Sequence, residues 1–484
     1  MGGPPRADAL RGERQRLLAY VEQAHVLTVH QRHPVRVSSL RRPAAALGLA
    51  AALLVAPTVA AAQEPQPTPP PETHEHVVVD GTMLTPTREG PGTAWIPAAT
   101  PMYGLHRPWR TWDIRLNGTV FAQAVYEPRE RHRTGGASTS QASSLNWVML
   151  GARRRLGDGR FGVRTMLSAE PWTVPGCGSL SFLAVGEVCE GDTIHDRQQP
   201  HDLVMELAVD YEHALRRTWR WQVYAGLAGE PALGPPGYPH RASAMPNPTA
   251  PLTHHWLDAT RVSFGLVTLG VHNQRWKAEV STFNGREPDE RRTDLDIGAF
   301  DSVSGRLSFL PTERLALQVS AGRLREAATD FPFPSQPPVI RTTASAMYHV
   351  PFGQAHLWAT TVAVGTTRAR EAVPGGILEA TSVGALLESS LLVADRHTVF
   401  GRAEVGRMPA HHLHAHEYAL ALVPLGKLQV GYVWHPRSGR GVVPGIGASV
   451  AVSVLSSELS PYYYGRVAPS VVVFLSVRPA RHVM

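Results

Sequence analysis

Seven side chains in two stretches of the sequence carry metal-ligating chemistry. His195, His201 and Asp202 fall in the run HDRQQPHD, and His240, Met245, His254 and His255 fall in a second, Pro-rich stretch. Imidazole with thioether suits copper, and imidazole with carboxylate suits zinc. Spacing alone closes no ligand set among them. The favoured reading is therefore a hydrogen-bonded Arg/His/Asp/Glu network that holds two loops in place. A separate cluster, His411-His412-x-His414-x-His416, reads as a polar rim beside a short outer turn, with weak surface binding of a divalent cation as its alternative. Enzyme chemistry finds no support: there is no G-x-S-x-G, no H-E-x-x-H followed by a third ligand and no phosphate-binding glycine loop. No Ser is obviously paired with the His and Asp groups.

The elements that must position these residues alternate in polarity with a period of two. In 112–126 the even positions (Trp112, Ile114, Leu116, Val120, Ala122, Ala124, Tyr126) are apolar, and the odd ones include Asp113, Arg115, Asn117, Thr119 and Gln123. Leu203, Met205, Leu207, Val209 and Tyr211 oppose Asp202, Glu206, Asp210 and Glu212. Trp276, Ala278 and Val280 oppose Arg275, Lys277 and Glu279, and Val262, Phe264 and Leu266 oppose Arg261, Ser263 and Gly265. This is the period of a strand, not of a helix. Seventeen stretches read as strands, among them 414–423 and 427–435, and their connections alternate in length. Pro351-Phe352-Gly353 and Pro424-Leu425-Gly426 read as short turns; 171–201, 230–257, 285–300 and 367–376 read as long loops. Lipid offers no hydrogen bonds, so a sheet that crosses it must close on itself. The expected fold is all-β: a transmembrane antiparallel β-barrel of about 16–18 strands with short periplasmic turns and long extracellular loops. An odd count conflicts with both ends facing the periplasm, and the surplus strand is expected near 445–478. Trp112, Trp147, Trp219, Trp221, Trp276, Trp358, Tyr432 and Trp434 are expected at the lipid–water interface.

Charge location excludes a nucleic-acid partner. Of 47 basic and 40 acidic residues, eight and three fall in residues 1–62, which leaves a nearly balanced 39 and 37 for the rest. Arg41-Arg42, the apolar run 44–56 and Ala60-Ala61-Ala62 read as a secretory signal peptide over residues 1–62, with an n-region long enough to suggest a mis-assigned start. Residues 63–108 read as a flexible, Pro-rich periplasmic segment and 109–484 as the barrel. Export places Cys177 and Cys189 in an oxidising compartment, where they are expected to pair.

Five runs resemble a known family. They are GEVCEGDTIH followed by DRQQPHDLVMELA, then GEPALGPPGYPHRASAMPNPTAPLTHHWLD, STFNGREPDERR and DSVSGRLSF. They look like a family of uncharacterised bacterial outer-membrane β-barrel (porin-like) proteins, over nearly the whole exported chain. Where the family shows R-Q-H-P-H-D, this chain has Gln199 in place of the first His, which weakens a metal ligand there. The resemblance implies architecture and location, with an association with metal (copper) handling. The resulting expectation is a porin-like channel in the outer membrane of a Gram-negative bacterium, passing small hydrophilic solutes or ions. Its charge selectivity would be tuned by inward-facing Arg115, Arg261, Arg275, Glu279, Arg306, Arg314, Arg402 and Glu404. The alternative is a metal-handling barrel with copper or zinc as its ion; no other cofactor is expected. The expected partners are outer-membrane lipid or lipopolysaccharide and small solutes, and a homo-oligomer is left open.

Overall fold

The computed structural model describes residues 90–128, 140–190, 192–216, 218–325, 338–353, 355–373, 376–436, 441–463 and 465–481. The expected signal peptide lies outside the described residues. Strands run in the order β1 (Leu105–Trp109), β2 (Trp112–Tyr126), β3 (Ser140–Leu156), β4 (Gly159–Leu167), β5 (Ser179–Cys189), β6 (Asp192–Gln198), β7 (Val204–Arg216), β8 (Trp219–Gly229), β9 (Ser263–His272) and β10 (Trp276–Phe283). They continue as β11 (Ser302–Thr312), β12 (Leu315–Leu324), β13 (Val339–Phe352), β14 (His356–Val373), β15 (Gly376–Val393), β16 (His397–Pro409), β17 (Leu422–Trp434), β18 (Val442–Leu455) and β19 (Val467–Pro479).

Sixteen of these, β2–β4 and β7–β19, form one closed antiparallel barrel in which each strand pairs with the next. Closure is made by β19 against the second half of β2, from Val471↔Tyr126 to Val477↔Val120. The first half of β2 pairs instead with β1, from Leu105↔Leu116 to Trp109↔Trp112. A bridge between Tyr103 and Arg481 joins the two ends of the barrel chain. Both ends therefore lie on the rim that carries the short turns, the periplasmic rim of an outer-membrane barrel. β5 and β6 form a separate hairpin within the β4–β7 connection, and the Cys177–Cys189 disulfide ties the residues just before β5 to its last residue.

The alternation read from the sequence is realised with the apolar row facing out. On β18, Val442, Ile446, Val450, Val452 and Val454 are exposed, while Ser449, Ala451 and Ser453 are buried inside. Transfer of a large apolar side chain from water into hydrocarbon contributes about 1.5–3 kcal/mol. An outer surface of this kind is stable in lipid and unstable in water. Trp219, Trp276, Tyr348, Trp358, Tyr432 and Trp434 ring the outside near the short-turn rim, where amphipathic rings meet headgroups.

Several expectations need correction. The surplus strand is 414–423, not one near 445–478: residues 410–421 form a connection with two short 3-10 turns, and β17 starts at Leu422. Small apolar residues in AHEYALAL imitate a two-residue period, but His414 turns left-handed (φ 52°) and breaks the extended chain. Pro424-Leu425-Gly426 is part of β17, paired with β16 through Leu425↔Gly406. Residues 367–376 are not a long loop, because β14 and β15 stay paired as far as Val373↔Gly376. Trp147 points into the barrel and is buried with Met166 and Met205. Phe264 and Leu266 also face inward, because a fold of the preceding loop covers them there. The barrel sheet begins at Leu105. The described part of the expected periplasmic segment, from Gly90, is packed: Thr93 and Trp95 are buried, and Trp95 packs on Leu310, Ala316 and Met347.

Candidate functional site

Residues 230–262, between β8 and β9, fold into the barrel and cross its lumen. The loop is tied to six strands. Ala232 N donates to Ser281 Oγ on β10 (2.8 Å) and Gly234 N to Ser320 Oγ on β12 (2.8 Å). Ser243 Oγ lies 2.7 Å from Thr361 Oγ1 on β14, and Arg241 Nε donates to Glu388 Oε1 on β15 (2.6 Å). Thr253 N donates to Glu404 Oε1 on β16 (2.8 Å), and Asn247 Nδ2 to Gln429 Oε1 on β17 (2.8 Å).

The wall is shaped to receive this loop. Gly365, Gly384 and Gly406 are register partners on β14, β15 and β16. Together they leave a slot for Trp256, which is fully buried. A Cβ on Gly384 would sit 2.4 Å from the indole, and one on Gly365 would sit 2.5 Å from the Trp256 carbonyl oxygen. Trp256 Nε1 donates to Ser382 Oγ (2.8 Å). Burying an indole contributes roughly 4–6 kcal/mol of transfer free energy before ordering costs.

Charged groups hold the rest. Arg241, 0% exposed, reaches Glu388 and Asp258 (Nη1–Oδ2 2.7 Å), and Arg402 approaches the other Glu388 oxygen at 3.2 Å. His254 Nδ1 lies 2.6 Å from Asp258 Oδ1, and its Nε2 faces Arg261 Nη1 at 2.5 Å. Arg261 also donates through Nε to His201 Nε2 (3.2 Å), and His201 Nδ1 is 2.8 Å from Glu170 Oε1. Burial, reinforced by Arg261, pushes His254 down to about 4. Burial with His201 and Arg261 nearby takes His240 down to about 3. Burial raises Glu230 to about 8, against the pull of Arg306. Burial would also raise Asp258, but Arg241, His254 and Arg261 overcome it and hold that carboxyl below the usual range.

The residues singled out for metal binding separate into three places. His201, His240, His254 and Met245 lie near one another, but Arg261 occupies the space between His201 and His254, where its cation repels a metal ion. His240 packs against Trp147 with ring centres 4.3 Å apart and planes at 56°, and Met245 lines a small pocket with His201, Tyr238, Asn146 and Thr119. Asp202 turns to Arg292, 3.7 Å away in the β10–β11 connection. His195 and His255 lie elsewhere: His195 is 4.1 Å from His414 and His255 is 5.9 Å from His412, ring centre to ring centre. The loop-holding network, not a single ligand set, is what this part of the sequence builds.

The lumen residues are sorted as well. Arg306, Arg402, Glu279 and Glu404 are buried inside, but each has a partner. Arg306 Nε donates to Glu279 (3.0 Å), which also meets Lys277 (3.2 Å); Arg306 Nη2 and Lys277 Nζ both reach Thr93. Arg115 pairs with Asp113 at the short-turn rim. Arg261 is in the loop, not on the wall. Arg275 and Arg314 are exposed in short turns, because the two-residue period was extended beyond the strands that begin at Trp276 and Leu315. Sequence reading missed Glu388, Glu170 and the glycine slot. Glu388 did leave a signal, as the one charge in ALLESSLLV.

The comparisons give distant barrels. An anion-selective porin from Comamonas acidovorans is 12% identical (76% of this chain, 99% of that one, TM-score 0.46). The outer-membrane channel DcaP of Acinetobacter baumannii is 9% identical (78% and 100%, TM-score 0.46), and OmpF of Salmonella typhi is 10% identical (77% and 100%, TM-score 0.46). No family model matches the sequence, and no curated protein matches it.

Proposed function

We propose that the chain is a porin-like channel of a Gram-negative outer membrane, passing small hydrophilic solutes or ions. Residues 1–62 would serve as its export signal. The observation that carries this reading is the inward loop: an apolar-sided closed barrel encloses a polar lumen, and residues 230–262 narrow it from within. One small pocket lies between that loop and the β2–β3 wall, beside Thr119, Asn146 and Met245. The charges of Glu279, Arg306, Glu388 and Arg402 are compensated by one another and by Lys277 and Arg241, so they hold the constriction more than they select ions. The His254–Asp258 pair does not act as a catalytic base, because its outer nitrogen is turned to Arg261.

Conductance across planar bilayers tests the proposal. Wild-type protein gives small single-channel steps, and a variant with 234–256 replaced by a short Gly-Ser link gives larger ones. A folded shortened barrel that conducts no ions rejects the channel.

A further inference from the structure

The β16–β17 connection holds a second cluster that the lumen network does not use. His411 and His412 sit side by side on one 3-10 turn, with ring centres 4.5 Å apart and planes crossing at 76°. Both turn Nε2 toward the same carboxylate oxygen: Glu371 Oε2 is 2.7 Å from His411 and 3.1 Å from His412. Glu371 stands near the outer end of β14, so two separate elements converge there. One ligand atom from each of the three residues lies within 4.8 Å of the others. His411 and His412 are buried and Glu371 is largely so.

We propose that Glu371, His411 and His412 form a site for a divalent transition-metal ion, zinc in the first instance, at the outer rim of the barrel. The proposal stands apart from the channel reading and does not depend on it. Two imidazoles and a carboxylate are a zinc ligand set. Ligands about 2.0–2.1 Å from a tetrahedral ion stand about 3.3 Å from one another, so the observed N–O separations need only small movements to admit one. The fourth position is left to water or to His255, whose ring centre is 5.9 Å from that of His412. His414 continues the same connection, and His195 and His416 lie 4.1 and 5.4 Å from it, ring centre to ring centre. The competing arrangement is a carboxylate accepting two imidazole N–H bonds, with no affinity for metal.

Calorimetry on the full barrel in detergent, titrated with zinc alone, decides between them. The expected result is one zinc per chain, with affinity at least tenfold weaker in Glu371→Gln and in His412→Gln, and little changed in His416→Gln. Folding of each variant is checked by strand circular dichroism. Cobalt titration of the wild type is a second measurement that needs no variant: an intense tetrahedral visible spectrum is expected. No stoichiometric zinc binding, unchanged affinity in folded Glu371→Gln, loss of binding in His416→Gln alone, or only a weak octahedral cobalt spectrum overturns the site.

Discussion

Arg241 and His254 decide how firmly the lumen loop is held. Arg241 is enclosed by Asp258 and Glu388 with no contact with water. Removing one partner of a buried ion pair costs about 3–5 kcal/mol, because the other charge is left uncompensated. Arg241→Ala should therefore release the loop, seen as proteolytic cleavage within 230–262 of a barrel that remains intact. The histidines add a pH dependence. His254 and His240 are held down to about 4 and about 3, so they stay neutral in the docked loop while an undocked loop takes up protons below about 6.5. Their stabilisation is complete above the ordinary histidine value and is lost as pH falls. Glu230, raised to about 8, acts oppositely: it favours docking at low pH and loses that contribution as pH rises toward 8. Between 4.5 and 6.5 two groups outweigh one, so docking weakens on acidification; above 6.5 only Glu230 acts, and docking weakens with rising pH. Hydrogen exchange of loop amides should be slowest, after correction for intrinsic rates, near pH 6.5. A protection profile flat from pH 4 to 8 would contradict this assignment.

At the scale of elements, strands and loop fit each other through side-chain size. The glycine row on β14, β15 and β16 is legible as three glycines, but its meaning depends on register, and register is not visible in a single strand. Gly384→Leu fills the slot. Expulsion of Trp256 should cost about 3–5 kcal/mol and raise conductance, with the barrel still folded. The outer face follows a different rule. Val450 lies between Val430 and Val471 on an apolar row, and Val450→Arg should destabilise folding into lipid vesicles by about 2–4 kcal/mol if it lies near mid-membrane. Urea titration of the refolded variant measures the loss, and an unchanged midpoint would mean that this face does not meet lipid. The misread strand 414–423 has a related cause: alternation of small residues such as alanine and leucine is compatible with a strand and with tight turns, and only pairing tells them apart.

For the whole molecule, the sequence by itself determined a closed antiparallel barrel, its approximate strand number and the outward face of most strands, β9 being the exception at Phe264 and Leu266. Those properties depend on neighbours two residues apart and on a solvent, lipid, that permits no unpaired edge. It also marked the pairing of Cys177 with Cys189, which needed only an oxidising compartment and a short separation. The tertiary structure alone decided which loop fills the lumen and what it touches there. Arg241 and Glu388 are 147 residues apart in sequence, and Asn247 and Gln429 are 182 apart. No local pattern specifies such contacts; they follow from how far a loop of given length reaches across a cylinder of given width. That reach turned His201 and His254 into partners of an arginine, and it brought His411 and His412 to Glu371.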